Sequence, residues 1–114
     1  TDSSMYRVLK AYDPGIGPKT QMTLYNMMIP LNGNGMGTIY YKDWQIFDQI
    51  ILSTNLVTHN SILVNKDRQG KIYWEEWMLY EAPDGTLRPN RTAAKNYYGG
   101  YSDHLPVYIE FQVR

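Results

Sequence analysis

The sequence GGYSDHLPVYIEFQV, at positions 99–113, places an acid and an imidazole directly before a predicted strand. Residues 107–113 form an alternating run that is typical of a strand with one buried face. The two glycines give the backbone freedom ahead of the turn, and the proline stiffens the backbone after it. We therefore expect Asp103 and His104 on a tight loop at the entrance to this strand, where a sheet commonly carries functional side chains.

The composition describes a small neutral domain. The chain has 114 residues, which is enough for one domain with a core. It has 11 Lys and Arg against 11 Asp and Glu, so it lacks the basic excess typical of a dedicated nucleic-acid binder. It has no cysteine, which excludes disulfides and thiolate metal sites and leaves the cellular compartment undecided. No stretch approaches the roughly 20 apolar residues of a membrane-spanning helix.

The predicted elements are a short helix, an uncertain segment and then several strands, which makes the chain α+β. Residues 2–4 are good N-cap candidates for a helix over residues 4–12, where apolar side chains recur at helical spacing. Residues 20–31 fit neither the helical nor the strand period and predict a short helix or an irregular buried segment.

The later patterns predict strands over residues 38–47 (a hairpin turning at Lys42 and Asp43), 48–53, 61–64, 72–80 and 107–113. They predict a loop or one helical turn over residues 54–60 and a loop over residues 87–100.

Asp48 is the anomaly among these strands. Its carboxylate lies between Phe47 and an apolar run, where burial without a partner is costly. If its strand lies beside the strand that begins near Pro106, Asp48 accepts a hydrogen bond from one ring nitrogen of His104. That contact would fix the imidazole tautomer and leave the other nitrogen facing a substrate, while Asp103 would bind a hard cation such as magnesium through oxygen. The alternative is that Asp-His before a proline occurs by chance and that Asp48 caps a turn.

These motifs resemble those of the endonuclease/exonuclease/phosphatase superfamily, which shares the deoxyribonuclease-I-like fold. Residues 100–107, GYSDHLPV, are similar to its closing Ser-Asp-His-x-Pro-Val signature. Residues 47–53, FDQIILS, are similar to its Asp-x-Ile-x-x-Ser strand, and residues 38–44 are similar to the bacterial members. Both motifs occur in the family's order, and together they are more specific than either alone.

The resemblance implies that residues 1–114 are the C-terminal portion of a single domain. The whole domain would be a four-layered α/β sandwich, of which this portion contributes mainly antiparallel sheet and one or two short helices. The N-terminal half, absent from this chain, would supply a metal-binding glutamate, another histidine and a Gly-Asp-x-Asn loop. The portion alone is therefore expected to be inactive and to bind metal weakly or not at all.

The resemblance also implies residue roles for a hydrolase that uses water and Mg²⁺ or Mn²⁺. His104 would contact the scissile phosphate as acid or base, Asp48 would orient His104, and Asp103 would position a metal or the attacking water. Ser102 is expected to shape the loop. His59 and Asn60 match no motif, and His59 is expected at the surface.

Two functions remain open from the sequence. One is a metal-dependent phosphodiesterase, nuclease or phosphatase, whose substrate would be a nucleic acid, a phospholipid head group or a sugar phosphate. The other is a non-catalytic module that binds carbohydrate or protein through aromatic side chains, including Trp44, Trp74 and Trp77, although we expect these aromatics to pack in the core and on the sheets. An incomplete sandwich also exposes sheet edges, which predicts pairing with the missing half or between copies of the chain.

Overall fold

The structure is a computed structural model that describes residues 7–15, 23–58, 62–64, 69–93 and 95–113. Short strands dominate these residues, together with the α-helix Thr54–Thr58 and two 3₁₀ turns, so the fold is α+β as predicted. No helix among them has the length and apolar character needed to cross a membrane. The chain divides into two compact units, the first formed by residues 1–32, 49–71 and 108–114 and the second by residues 33–48 and 72–107. The four-layered sandwich and the single-domain assignment stay predictions.

The first unit contains a three-stranded sheet. Strand β1 (Ala11–Tyr12) runs parallel to β2 (Leu24–Asn26), which also pairs in the antiparallel direction with β5 (Ile51–Ser53). The α-helix, α1 (Thr54–Thr58), follows β5 directly. A 3₁₀ turn (Ile29–Leu31) follows β2.

The core of the first unit lies around this sheet. Its buried side chains are Tyr25, Met27, Leu52 and Val57, and Tyr12, Ile50 and Ile109 pack against them. A separate antiparallel pair joins β6 (Ile62–Val64) to β13 (Phe111–Val113). Met27, which directly follows β2, is therefore buried in a cluster with Tyr25 of β2 and Leu52 of β5.

The second unit is built from antiparallel hairpins. Strand β3 (Ile39–Tyr41) pairs with β4 (Asp43–Gln45), and β8 (Leu79–Glu81) pairs with β9 (Leu87–Pro89). A third hairpin joins β10 (Thr92–Ala93) to β11 (Asn96–Tyr97). A 3₁₀ turn (Glu76–Met78) precedes β8. Two further strands, β7 (Lys71–Ile72) and β12 (Val107–Tyr108), lie where the chain passes from one unit to the other.

Several strand predictions are confirmed. The hairpin predicted over residues 38–47 is present as β3 and β4, with Lys42 in the left-handed conformation (φ 62°) at its tip. The strand predicted over residues 61–64 is present as β6, and one helical turn follows β5 as expected. The run predicted over residues 107–113 is split into β12 and β13.

The helix predicted over residues 4–12 is wrong at its C-terminal end. Ala11 and Tyr12 form β1 because they pair with Leu24 and Tyr25, and Lys10 (φ 60°) turns the chain into that pairing. Val8 and Leu9, expected on the buried helical face, are exposed. Residues 4–6 lie outside the described part of the chain.

Three other segment predictions need correction. The loop expected over residues 87–100 contains β9, β10 and β11, because its backbone N–H and C=O groups pair in short antiparallel hairpins. The strand expected over residues 72–80 is interrupted by the 3₁₀ turn, and only its ends pair. The strand predicted over residues 48–53 begins only at Ile51.

Candidate active site

Asp48 and His104 are in direct contact in the second unit. The Oδ2 atom of Asp48 lies 2.7 Å from Nδ1 of His104, and about a third of each side chain is exposed. In the neutral imidazole this contact makes Nδ1 the donor, so Nε2 carries the lone pair and can accept a proton. The structure therefore contains the contact that the two motifs predicted, while the catalytic roles of these residues stay predictions.

Thr38 connects the backbones on which these two side chains are carried. It is fully buried, and its hydroxyl oxygen accepts hydrogen bonds from the N–H groups of Phe47 (3.0 Å) and Asp48 (3.1 Å). Its carbonyl oxygen accepts the N–H of Leu105 at 2.7 Å. One buried residue thus fixes the chain at Asp48 and at the residue after His104. No sequence motif marks Thr38 for this role.

The route by which the two side chains meet differs from the prediction. We expected the strand of Asp48 to lie beside the strand that begins near Pro106. Asp48 lies outside any strand, and His104 forms an isolated antiparallel bridge with Ile39 at the start of β3. The contact therefore depends on Thr38, which holds the Asp48 segment and Leu105, and on Ile39, the first residue of β3, which pairs with His104.

Ser102 and Phe47 shape the immediate surroundings of His104. The N–H of His104 donates to Oγ of Ser102 at 3.0 Å, so Ser102 closes a local turn, which is the role expected for it. The Phe47 ring packs edge-to-face on the imidazole, with centroids 5.8 Å apart and planes at 82°. These contacts restrict the position of the imidazole on the loop.

Asp103 is exposed and follows Ser102 in the same turn. A divalent cation would require several oxygen or nitrogen ligands around it. Among the described residues, no group of three His, Asp or Glu side chains is close enough to hold a metal ion. The described residues therefore do not form a complete metal site, and the role predicted for Asp103 at a metal stays a prediction. His59 and Asn60 lie outside the described residues.

A cavity of about 220 Å³ opens beside His104 within the second unit. Its wall is mainly apolar and includes Trp77, Met78, Tyr101 and Leu105, with Ser102 as a polar member. The expectation that the tryptophans pack in the core and on the sheets is wrong for two of them, since Trp74 and Trp77 lie outside the strands and are 45% and 60% exposed. Trp44 lies in β4 and is half-buried. Aromatic composition alone could not distinguish a core ring from a ring at the mouth of a cavity.

Comparison with known proteins identifies the family. A family model described as the endonuclease/exonuclease/phosphatase family matches residues 1–113. Comparison with curated proteins gave no match, and comparison with solved structures gave none either. The family generally comprises hydrolases of phosphoester bonds, and its members commonly use divalent metals. The match spans almost the whole chain, and this chain therefore belongs to the endonuclease/exonuclease/phosphatase family.

Proposed function

We propose that this chain is the C-terminal portion of a phosphoester hydrolase in which His104, oriented by Asp48, exchanges a proton at the scissile phosphate. The observation that carries the proposal is the 2.7 Å contact between Asp48 Oδ2 and His104 Nδ1. The family match supports phosphoester hydrolysis as the class of reaction.

The chemistry of the pair follows from its hydrogen bond. Because Asp48 holds Nδ1 as a donor, Nε2 accepts a proton from an attacking water or returns one to a leaving oxygen. The carboxylate also stabilises the imidazolium that exists between these two events. A general acid or base placed in this way contributes a factor of about 10²–10⁴ to the rate. The pair therefore accounts for part of a hydrolase mechanism, and electrostatic stabilisation of the phosphoryl oxygens must come from other groups.

The proposal assigns Asp103 as one oxygen ligand of a divalent cation, Mg²⁺ or Mn²⁺. The remaining ligands would come from the N-terminal half of a deoxyribonuclease-I-like sandwich, which this chain would complete. When bound, such a cation would supply charge stabilisation to the phosphoryl oxygens. In this proposal the chain alone is inactive, because one carboxylate binds a divalent cation weakly.

A second candidate is a non-catalytic module that binds a carbohydrate or a protein. The exposure of Trp74 and Trp77 favours it, because exposed indole rings commonly provide a face for a ligand. This candidate gives no role to the Asp48–His104 contact, and for that reason we rank it below the hydrolase.

The test is a panel of phosphate esters offered with magnesium to the full-length protein that contains this chain. We expect turnover of at least one ester, and we expect His104→Ala to lower kcat/KM by a factor of about 10²–10⁴ with an unchanged Tm. His59→Ala, which removes the chain's other histidine, is the matched control and should retain wild-type turnover. Hydrolysis by His104→Ala at close to the wild-type rate would overturn the proposal.

A further inference from the structure

Two exposed aromatic rings form the rim of the cavity beside His104. Trp77 is 60% exposed and Tyr101 is 85% exposed. Their ring centroids lie 6.3 Å apart with the planes at 81°, so they meet edge-to-face. This geometry leaves ring surface in contact with water, where a planar ligand would cover it.

Asn90 makes hydrogen bonds to both of the backbone segments that carry these rings. Its side-chain amide donates to the carbonyl oxygen of Trp77, and its backbone N–H donates to the carbonyl oxygen of Met78 at 3.0 Å. Its own carbonyl oxygen accepts the N–H of Gly100, directly before Tyr101, at 2.7 Å. Asn90 therefore holds the backbone on both sides of the rim in the free protein. This lowers the conformational entropy that the protein would lose on binding a ligand.

Gly100 is buried at the point where the loop before Tyr101 crosses Asn90. A β-carbon at this position would lie 2.7 Å from the carbonyl oxygen of Asn90, so only glycine fits. The carbonyl oxygen of Gly100 accepts hydrogen bonds from Nη1 of Arg91 (3.2 Å) and from the hydroxyl of Tyr97 (3.1 Å). These hydrogen bonds hold the loop in the conformation in which the Tyr101 ring is exposed.

The size and lining of the cavity restrict what it can hold. Sites for drug-sized ligands measure roughly 300–1,000 Å³, so a cavity of about 220 Å³ accommodates a single ring system. Base stacking on aromatic side chains requires only a flat face. The charge of the chain is balanced, which favours recognition of one stacked base over recognition of a long polyanion. Ser102 and His104 provide polar atoms at the edge of the same cavity.

We propose that Trp77 and Tyr101 form a base-binding subsite, in which the nucleobase of a nucleotide phosphoester stacks while its phosphate lies at His104. This inference rests on the proposed function, because it takes His104 as the position of the phosphate. It makes the preferred substrate a nucleotide ester, recognised by one base next to the bond that is cleaved.

The test compares two substrates that differ only in the base. One is the methyl ester of a nucleoside 5′-phosphate, and the other is the corresponding abasic sugar phosphate methyl ester. For the full-length protein with magnesium, we expect Trp77→Ala and Tyr101→Ala to lower kcat/KM for the base-containing ester by about 5- to 150-fold, the size of one base–aromatic stack. The abasic ester should be hydrolysed at the wild-type rate, and Trp77→Phe should retain most of the discrimination.

Two matched variants control for the loss of an exposed ring. Trp74 is 45% exposed and Tyr41 is 67% exposed, and neither lines the cavity. Trp74→Ala and Tyr41→Ala should leave both esters unaffected. If Trp77→Ala slowed both esters equally, or neither, the subsite would be refuted. If Trp77→Ala instead lowered kcat/KM only for a long-chain alkyl phosphodiester, the rim would be assigned to lipid and the base-binding subsite would be refuted.

A binding measurement separates failure of the subsite from failure of the hydrolase. The dissociation constants of a nucleoside 5′-monophosphate and of its abasic counterpart are measured in EDTA, where turnover does not contribute. Tighter binding of the nucleotide that is lost in Trp77→Ala supports the subsite even if His104→Ala remains active and the proposed mechanism fails. Equal binding of the two ligands by the wild type refutes the subsite, even if hydrolysis depends on His104.

Discussion

The hydroxyl oxygen of Thr38 accepts a hydrogen bond from the backbone N–H of Asp48 at 3.1 Å. The same oxygen also accepts the N–H of Phe47, and the Thr38 carbonyl accepts the N–H of Leu105. A single buried residue at the start of a hairpin therefore joins the two segments, through its side chain at Asp48 and through its backbone carbonyl at the loop of His104. The catalytic proposal depends on this arrangement, because a proton carrier must be held in one orientation.

Thr38→Val tests this positioning role. Valine keeps the shape of threonine but leaves two backbone N–H groups without their acceptor, each at a cost of roughly 1–3 kcal/mol in the free energy of unfolding. We expect kcat to fall while KM changes little, because the substrate-facing groups are intact. Steady-state kinetics and urea unfolding of the full-length protein measure both effects.

Thr38→Ser is the matched control, since it retains the hydroxyl oxygen and removes only a methyl group. It should recover most of kcat although it leaves a small void. A Thr38→Val protein that is folded and has wild-type kcat would show that the hydroxyl does not position the site.

Gly37→Ala tests the close approach that precedes Thr38. A β-carbon at Gly37 would lie 2.6 Å from the backbone nitrogen and carbonyl carbon of Gln45, so the hairpin must shift to admit it. Overpacking of this kind costs on the order of 1–3 kcal/mol. We expect a lower Tm by calorimetry. Gly15→Ala is the control, because its β-carbon would meet only the side chain of Asp13, at 3.2 Å. Equal Tm values for the two variants would contradict the close approach.

Asp84 gives a prediction for acid stability. The Thr86 hydroxyl and N–H, together with Arg88, donate to its carboxylate and lower the pKa of Asp84 below its ordinary value of 3.8. A carboxyl whose pKa is lower in the folded state stabilises the fold above the unfolded pKa. That contribution is lost as the pH falls through the folded pKa.

The measurement is the Tm of wild type and Asp84→Asn across an acid titration. The Tm difference should be full at neutral pH and shrink as the pH falls below 3.8. Glu81→Gln, at an exposed position in the same hairpin, is the control. A Tm difference that is independent of pH would show that the carboxylate charge is not responsible.

The sequence was sufficient to predict the Asp48–His104 contact because both residues lie in recognisable motifs. It was not sufficient to identify Thr38, which looks like any β-branched residue at the start of a strand. Its role appears only when the backbone N–H groups of residues 47, 48 and 105 meet it in three dimensions. Hydrogen bonds to backbone groups leave little trace in the identity of the residues that donate them.

The secondary structure was predictable where the sequence pattern within one segment determines it. It was less predictable where pairing with a distant strand determines it. The hairpin of β3 and β4 has a local β-rich sequence, and it is present. Ala11 and Tyr12 have a helical pattern, but pairing with β2 makes them a strand. Strands of two or three residues, such as β10 and β11, are too short to show alternation. Composition favoured a buried position for Trp77, but the 3₁₀ turn that carries it leaves its ring exposed.

The most direct test of the proposed mechanism is a double-mutant cycle on Asp48 and His104 in the full-length protein. We predict that Asp48→Asn and His104→Ala each lower kcat by at least about 10²-fold. The double variant should be no slower than His104→Ala by more than about threefold, because Asp48 acts only through the imidazole. Losses that multiply in the double variant, or an Asp48→Asn protein with wild-type kcat, would contradict the proposal that these residues act as one catalytic pair.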